Sequence, residues 1–397
     1  MEKLAIEGGK PVRQQYLVFG NPEIKQEEID EVVECLKSCW IGTGPRVAKF
    51  ENAFREYIGC DYAKAVNSCT AGMHLSLLVS GIRPGDEVIT TPMTFSSSGN
   101  VILHANAGPK FVDCERETGN IDPKEVEKKI GEKTKAIIPV HLAGRPCNMD
   151  EITRIAEEHD LIVIEDAAHA IEAKYHGKKV GKISPLTAFS FYVTKNVVCG
   201  EGGMVTTNNG EWAEDIEKFA LHGLNRGAWK RYSDDGFKHY QVIFPGYKYN
   251  MMDLQASIGL HQLERVEENL KKRERIWKKY DEAFDSLPLA LPAEAEENTR
   301  HARHLYTPLL NLEEMKKGRD FVQQALHKEN VGTGIHFMSL HLHRYYRERY
   351  SFKPGDFPNA NFISERTISL PLSPKLTGQD VEDVINAVTK VLEHCRK

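Results

Sequence analysis

From Glu23 to Cys39 the chain carries Ile29, Val32, Val33 and Leu36 at helical spacing on an otherwise acidic stretch, which predicts an amphipathic helix. The Gly-Pro-rich hexapeptide Trp40-Ile41-Gly42-Thr43-Gly44-Pro45 ends it in a turn. A second amphipathic helix from Arg46 to Tyr57 leads to a short apolar strand, Tyr62 to Val66. Strands and helices then alternate: strand Val88 to Thr91, helix Gly99 to Asn106, strand Lys110 to Asp113, helix Pro123 to Ile130, strand Thr134 to Val140, helix Met149 to His159, strand Leu161 to Glu165. Alternation of this kind predicts an α/β fold with a mainly parallel sheet between helices, and ligands gather at the carboxyl ends of such strands. Beyond the apolar stretch Leu186 to Thr207, Glu211 to Leu221 reads as a helix and Asn225 to Tyr240 as a loop over the site, carrying Arg226, Lys230 and Arg231. A long helix from Asp253 to about Ser286 then bridges to strands near His304 to Leu310 and Gly332 to Phe337. Helices near Arg319 to Lys328, Tyr345 to Tyr350 and Gly378 to Cys395 complete the second part. The expected division is a large domain with an N-terminal arm over 1–245 and a smaller α+β domain over 246–397.

Composition narrows the function classes. A chain of 397 residues, 41% apolar and 27% charged, can bury a large core, and no apolar run reaches bilayer length. Neither a membrane segment nor an export signal is expected. The eight cysteines lack metal-ligand or disulfide-framework spacing, which points to reduced thiols in a cytoplasm. His141, His169 and His176 show no metal spacing either, so no metal is expected. A net charge of −5, without a basic run, argues against a nucleic-acid surface, and an anionic ligand must be held by local groups.

Three stretches carry candidate chemistry. Lys195 follows the buried-strand pattern Ala188 to Val193 and precedes Gly200-Glu201-Gly202-Gly203. Burial disfavours an ammonium, and a near-neutral amine is what attack on an aldehyde requires. A strand-edge lysine reaching water is the alternative for that segment alone. Asn67-Ser68-Cys69-Thr70-Ala71-Gly72 lies between a strand and a helix, where amides and hydroxyls can cradle a phosphate; a helix capped by Ser68 or Thr70 explains it equally well. It matches neither a Walker motif nor GxGxxG. Asp166 stands at the carboxyl end of an apolar strand, where opposite charges about 4 Å apart gain roughly 4 kcal/mol at an effective dielectric near 20, enough to hold a ring nitrogen protonated. His169 is placed to sit beside that ring, and Phe95 to stack on it, although both residue types also serve structure.

In order along the chain, Trp40 to Pro45, Thr70-Ala71-Gly72-Met73-His74, Pro84-Gly85-Asp86-Glu87-Val88-Ile89, Pro139-Val140-His141-Leu142-Ala143-Gly144, Glu165-Asp166-Ala167-Ala168-His169-Ala170, Phe189-Ser190-Phe191 with Lys195-Asn196, Gly200 to Gly203 and Gly246-Tyr247-Lys248-Tyr249-Asn250 form a combined signature. By these motifs nearly the whole chain resembles the DegT/DnrJ/StrS family of pyridoxal phosphate (PLP)-dependent sugar aminotransferases. Within it the likeness is nearest to the UDP-4-amino-4-deoxy-L-arabinose–oxoglutarate aminotransferases, through Gly332 to Phe337 and Tyr345-Tyr346-Arg347-Glu348-Arg349 as well. The resemblance implies an aspartate-aminotransferase-like, fold-type-I large domain. It implies that Lys195 forms the Schiff base with pyridoxal 5′-phosphate, that Asp166 pairs with the pyridinium, and that His169 and Phe95 flank the ring. Phe95 stands where close relatives often carry tryptophan. Thr70, Ala71 and Ser190 would hold the phosphate, with Asn250 supplied by the neighbouring subunit of a homodimer. Lys195 separates the chain from the family's dehydratase branch, where a histidine replaces the lysine.

The implied reaction is a ping-pong transfer from L-glutamate, released as 2-oxoglutarate, through pyridoxamine phosphate to a nucleotide-linked 4-keto sugar. A PLP lyase or dehydratase and a non-catalytic regulator share these site features. A dinucleotide-dependent enzyme lacks its glycine fingerprint here.

Overall fold

A computed structural model describes residues 2–225 and 240–397 of the chain. The loop expected over Asn225 to Tyr240, with Arg226, Lys230 and Arg231, lies outside the described residues except at its two ends. Helices α1 (Gln26–Lys37) and α2 (Pro45–Ile58) precede the first strand, β1 (Tyr62–Val66). There follow α3 (Cys69–Val79), β2 (Glu87–Thr90), α4 (Ser96–His104), β3 (Gly108–Phe111), α5 (Pro123–Lys129), β4 (Thr134–Ile138), α6 (Met149–Glu158) and β5 (Ile162–Asp166). A two-stranded ribbon, β6 (Lys174–Tyr175) and β7 (Lys178–Lys179), leads to β8 (Leu186–Ser190), β9 (Gly203–Thr207) and α7 (Gly210–Ala220). Seven strands form one sheet in the order β1-β9-β8-β5-β4-β2-β3. Only β9 runs against its neighbours, β1 and β8. The mainly parallel sheet expected from the alternating pattern is therefore present.

Both faces of that sheet are covered. α3 is buried almost all round, through Cys69 and Ala71 to Leu77, and packs with Val101, Ile102, Ile216 and Ala220 against strand residues Val66, Val88, Ile164 and Val205. Such a helix has no polar face to show water, and it lies within the core. The opposite face carries Ile152 and Ile155 of α6 over Ile89, Ile137 and Val163. Beside them Phe50 and Phe54 of α2 meet Phe189 and Phe191, with ring centroids 5.1–6.2 Å apart.

The second half is built from α8 (Asp253–Glu264), α9 (Val266–Phe284), a short pair β10 (Leu289–Ala290) and β11 (Leu309–Leu310), α10 (Arg319–Lys328), α11 (Arg344–Tyr350), α12 (Pro358–Arg366) and α13 (Gly378–Cys395). The single long helix expected from Asp253 to Ser286 is two helices, broken at Arg265 (φ −107°, ψ 10°). The break lets α8 pack Ala256, Leu260 and Leu263 into the core under α2, while α9 packs Ile276, Trp277, Tyr280 and Phe284 into a second core. Leu4, from the N-terminal arm, belongs to that second core. Ala5 and Val12 donate their amides to the buried carboxylate of Glu329 at 2.8 and 2.9 Å. The strands expected at His304 to Leu310 and Gly332 to Phe337 are largely absent. Pro308 has no amide to continue a ladder, leaving Leu309–Leu310 paired with β10, and Gly334 makes one bridge to Ser369. The helix expected from Gly99 starts earlier, at Ser96, and α12 was not expected at all.

Helix α1 reverses the usual orientation of an amphipathic helix. Glu28 is 1% exposed, paired with Arg265 and accepting from Gln262 Nε2 at 2.9 Å. That ion pair turns the Glu28 side of the helix inward, and Ile29, Val33 and Leu36 are left 48%, 40% and 52% exposed.

Candidate active site

The carboxyl ends of β5 and β8 lie side by side, with Asp166 opposite Ala188. Beyond β8 the chain closes a loop, Phe191 donating to Gly202 O at 2.9 Å and Cys199 to Phe191 O at 2.8 Å. Lys195 sits in that loop, its amide donating to Tyr192 O at 2.9 Å. The amine is largely buried, and desolvation lowers it to about 8 against the opposing pull of Cys69 and Asp166. Lys179 is lowered to about 8 as well, by burial against the opposing pull of Glu267, but it lies over the Tyr57 ring, apart from Asp166 and the α3 terminus.

Asp166 is 4% exposed. Oδ2 accepts from Ser98 Oγ at 2.7 Å and Oδ1 from the Ala168 amide at 3.1 Å. Because Ser98 gives its proton to Asp166, the 2.7 Å contact between Thr94 and Ser98 runs from Thr94 as donor. Burial pushes the carboxyl above its usual range, opposed by Ser98, Ala168, Lys195 and His141. A cation at this carboxylate would restore its charged form.

The third part is the start of α3. Ser68 caps it, accepting from the Ala71 amide at 3.1 Å, which settles the capping alternative in favour of Ser68. Thr70 stays half-buried in the first turn and Ala71 is buried there. The helix end reaches the sheet only because position 203 is glycine, where a Cβ would stand 2.5 Å from Ser68 C and 2.6 Å from Cys69 N. First-turn amides lack partners inside their own helix and carry its positive end, the arrangement an anionic phosphate requires. Ser190, at the end of β8, is half-buried and its Oγ accepts from the Tyr192 amide at 3.3 Å.

His169 is buried and its Nδ1 accepts from the Ala143 amide at 3.2 Å, so the neutral ring carries its proton on Nε2. Desolvation, with Lys195, His304 and His336 nearby, holds it well below the usual histidine value. Its ring stacks on Phe337 (6.0 Å, 17°), and Phe337 in turn lies 6.1 Å from Phe95. Phe95 begins α4 and is 59% exposed. Asn250 is bridged to Val66 and donates to Thr43 Oγ1 at 2.6 Å, while its buried Oδ1 has no partner. The geometry thus joins Lys195, Asp166 and His169 to the α3 terminus, and no contact ties Asn250 to Lys195 of its own chain among the described residues.

Sequence reasoning missed Ser98, Thr94, His304 and His336. The run Ser96-Ser97-Ser98 carried a signal, since three hydroxyl residues after Phe95 suit the first turn of a helix rather than the loop before one. Ser98→Ala removes a charge-assisted bond from Asp166, and about 1.5–3 kcal/mol of support for the carboxylate goes with it. The expected result is about ten- to a hundredfold weaker retention of cofactor, read by dialysis and absorbance, with the melting temperature moving by only a few degrees.

These residues suit pyridoxal phosphate. An amine near neutrality, a buried carboxylate with no ion pair among the described residues and a glycine-admitted helix terminus answer its aldehyde, ring nitrogen and phosphate in turn. The family model for DegT/DnrJ/EryC1/StrS aminotransferases matches residues 22–389. The chain is 53% identical to the uncharacterized protein MJ1066 of Methanocaldococcus jannaschii over 385 residues, 97% of this chain and 100% of that one. It is 46% identical to the spore coat polysaccharide biosynthesis protein SpsC of Bacillus subtilis, covering 96% of this chain and 98% of that protein. Among solved structures, Spr1654 of Streptococcus pneumoniae, assigned as a sugar aminotransferase, superposes in its pyridoxamine phosphate form with a TM-score of 0.89 at 33% identity, over 95% of this chain and 99% of that one. That protein has also been solved with pyridoxal phosphate. Helicobacter pylori PseC, an aminotransferase involved in the biosynthesis of pseudoaminic acid, gives 0.88 at 28% identity, over 96% of this chain and 100% of that one. The chain belongs to the DegT/DnrJ/EryC1/StrS aminotransferase family, with the fold-type-I scaffold and pyridoxal 5′-phosphate as its cofactor.

Proposed function

We propose that this sugar aminotransferase moves the amino group of L-glutamate to the 4-keto carbon of a nucleotide-linked sugar in two half-reactions, as a cytoplasmic homodimer. The observation that carries the reading is Lys195, an amine brought to about 8 by burial beside Asp166 at the carboxyl end of the sheet. The names of the relatives support a sugar acceptor: one serves spore coat polysaccharide and another pseudoaminic acid biosynthesis. Glutamate, the nucleotide and the 4-position rest on the motif resemblance. The eight cysteines, all without disulfides, accord with a reducing compartment.

When bound, the cofactor supplies an aldehyde that carries the amino group and a ring that accepts the electron pair released at the reacting carbon. Lys195 is the base that takes the α-proton of glutamate and later returns a proton to the sugar carbon. Asp166 keeps a proton on the ring nitrogen, and Ser98 and Ala168 hold that carboxylate in one orientation. Thr70, Ala71 and Ser190 would hold the phosphate at the α3 terminus. His169 and Phe95 would flank the ring.

Incubation with glutamate and a panel of nucleotide-linked keto sugars, followed by mass analysis, tests this. Aminated sugar with matching 2-oxoglutarate is expected. A keto or unsaturated sugar formed without 2-oxoglutarate would move the assignment to a dehydratase, and no turnover of any kind would favour a regulator.

The exposed stripe Ile29, Val33 and Leu36 on α1 supports a second copy of the chain as its cover. Leu36→Glu places a charge on the most exposed residue of that stripe. Sedimentation should then show dimer dissociation strengthened by tenfold or more, about 1.4 kcal/mol at least, whereas an unchanged dimer would rule this face out.

A further inference from the structure

His304 lies 4% exposed at the edge of the site, its ring centroid 4.5 Å from that of His169. Its Nδ1 is 2.9 Å from Asn196 Oδ1. Asn196 Nδ2 donates to Glu172 Oε2 at 2.8 Å and to Ala302 O at 3.3 Å, two acceptors that fix the amide with its oxygen toward His304. An acceptor facing Nδ1 requires the proton on Nδ1, which leaves Nε2 of the neutral ring bare. Behind Asn196 the chain of contacts is dry. Glu172 is fully buried and its other oxygen is held by Arg273 of α9, itself 2% exposed. Arg273 also donates to Arg303 O at 3.0 Å and Ala302 O at 3.2 Å.

His169 has the opposite tautomer, because its Nδ1 accepts from Ala143. The two segments are locked together at Gly144 (φ +98°), where a Cβ would stand 2.8 Å from His169 O and 3.0 Å from Ala302 Cβ. His304 donates its own amide to Ala143 O at 3.1 Å. One end of this network therefore fixes the residue next to Lys195, and the other fixes the ring packed on His169.

We propose that Arg273, Glu172, Asn196 and His304 form a positioning relay for the transamination, in which Asn196 holds His304 as the Nδ1–H tautomer and His304 holds the ring plane of His169. The relay acts through other residues and takes no proton itself. It also makes the arrangement of the site depend on α9, which belongs largely to the second core. A merely structural network with these bonds would set the same tautomer and leave kcat of a folded variant unchanged, whereas the relay requires both the tautomer and a loss of kcat when the network is broken.

Histidine selectively labelled with nitrogen-15, in the protein without cofactor, reads this directly, because ring-nitrogen shifts distinguish the two tautomers and the imidazolium. Neutral His304 protonated on Nδ1 and neutral His169 protonated on Nε2 are expected at pH 7.5. His304 protonated on Nε2 overturns the relay, and this measurement needs no variant to fold. Asn196→Ala should mix the His304 tautomers and lower kcat about ten- to a hundredfold with KM for glutamate within roughly twofold, the pattern of misplaced groups rather than lost binding. His304→Phe, which keeps a ring against His169 but loses the donor, should fall between that variant and the native enzyme. Native kcat in Asn196→Ala, with a native histidine spectrum, also overturns it. The proposal rests on the aminotransferase reading for its kinetics only. A native enzyme unable to convert glutamate to 2-oxoglutarate would defeat that reading and leave the tautomer result standing.

Discussion

Lys195→Ala lowers transfer from glutamate to sugar by about 10²–10⁴-fold, the range general acid–base catalysis contributes, and by more where the lost Schiff base also slows cofactor exchange. The reasoning starts from the fraction of free amine. At pH 8 an amine lowered to about 8 is half deprotonated, whereas an unperturbed lysine near 10.5 is almost entirely ammonium. Burial therefore gives this position about a hundredfold more nucleophile and base than a surface lysine has. The sign gives a second observable. Trapping of an added aldehyde by the cofactor-free native protein should rise as pH increases through about 8 and then level off. In the variant the share of that rise carried by position 195 should vanish while that of Lys179 remains, and borohydride should leave no label on the peptide spanning position 195. Transfer at more than a tenth of the native rate in Lys195→Ala would refute the role assigned to this lysine.

Asp166→Asn should cost about 10²–10³-fold in kcat with the protein fully folded. Asparagine keeps the shape, and its oxygen still accepts from Ser98, but it removes the only charge this residue offers a ring nitrogen. Opposite charges about 4 Å apart at an effective dielectric near 20 interact by roughly 4 kcal/mol, nearly three factors of ten, and part of that is offset by desolvation. Folding is spared because the carboxylate is itself costly to bury, as its raised pKa records. Stopped-flow absorbance after mixing with glutamate separates the effect on the first half-reaction from any loss of cofactor. A first half-reaction within threefold of native would show that another group supplies the counter-charge.

Much of the fold was legible from sequence because its signal was local. Apolar strands such as Ile162 to Ile164 alternating with helices such as α6 predict a covered parallel sheet, and the sheet is present. Position along the chain also singled out Lys195 and Asp166 as candidates, since each stands where an apolar run meets polar residues. What escaped was non-local. The break at Arg265 depends on two cores that claim adjacent turns, and no periodicity encodes that. The outward stripe of α1 depends on Glu28 finding Arg265, more than two hundred residues away in sequence. Ser98 was hidden for another reason: its partner, Asp166, lies 68 positions further on, across the sheet. The near absence of strands around Tyr306 and Gly334 follows from Pro308 and from backbone groups already bound elsewhere, and β-propensity alone reports neither.

The clasp of Glu329 on the amides of Ala5 and Val12 joins residues 324 and 317 positions apart. On a ribosome, Ala5 and Val12 must wait for more than three hundred further residues before their acceptor exists, and Leu4 packs in a core that also needs α13. These amides thus travel unsatisfied while that intervening stretch is made, and closing the second core becomes an event timed by the distance between its parts along the chain.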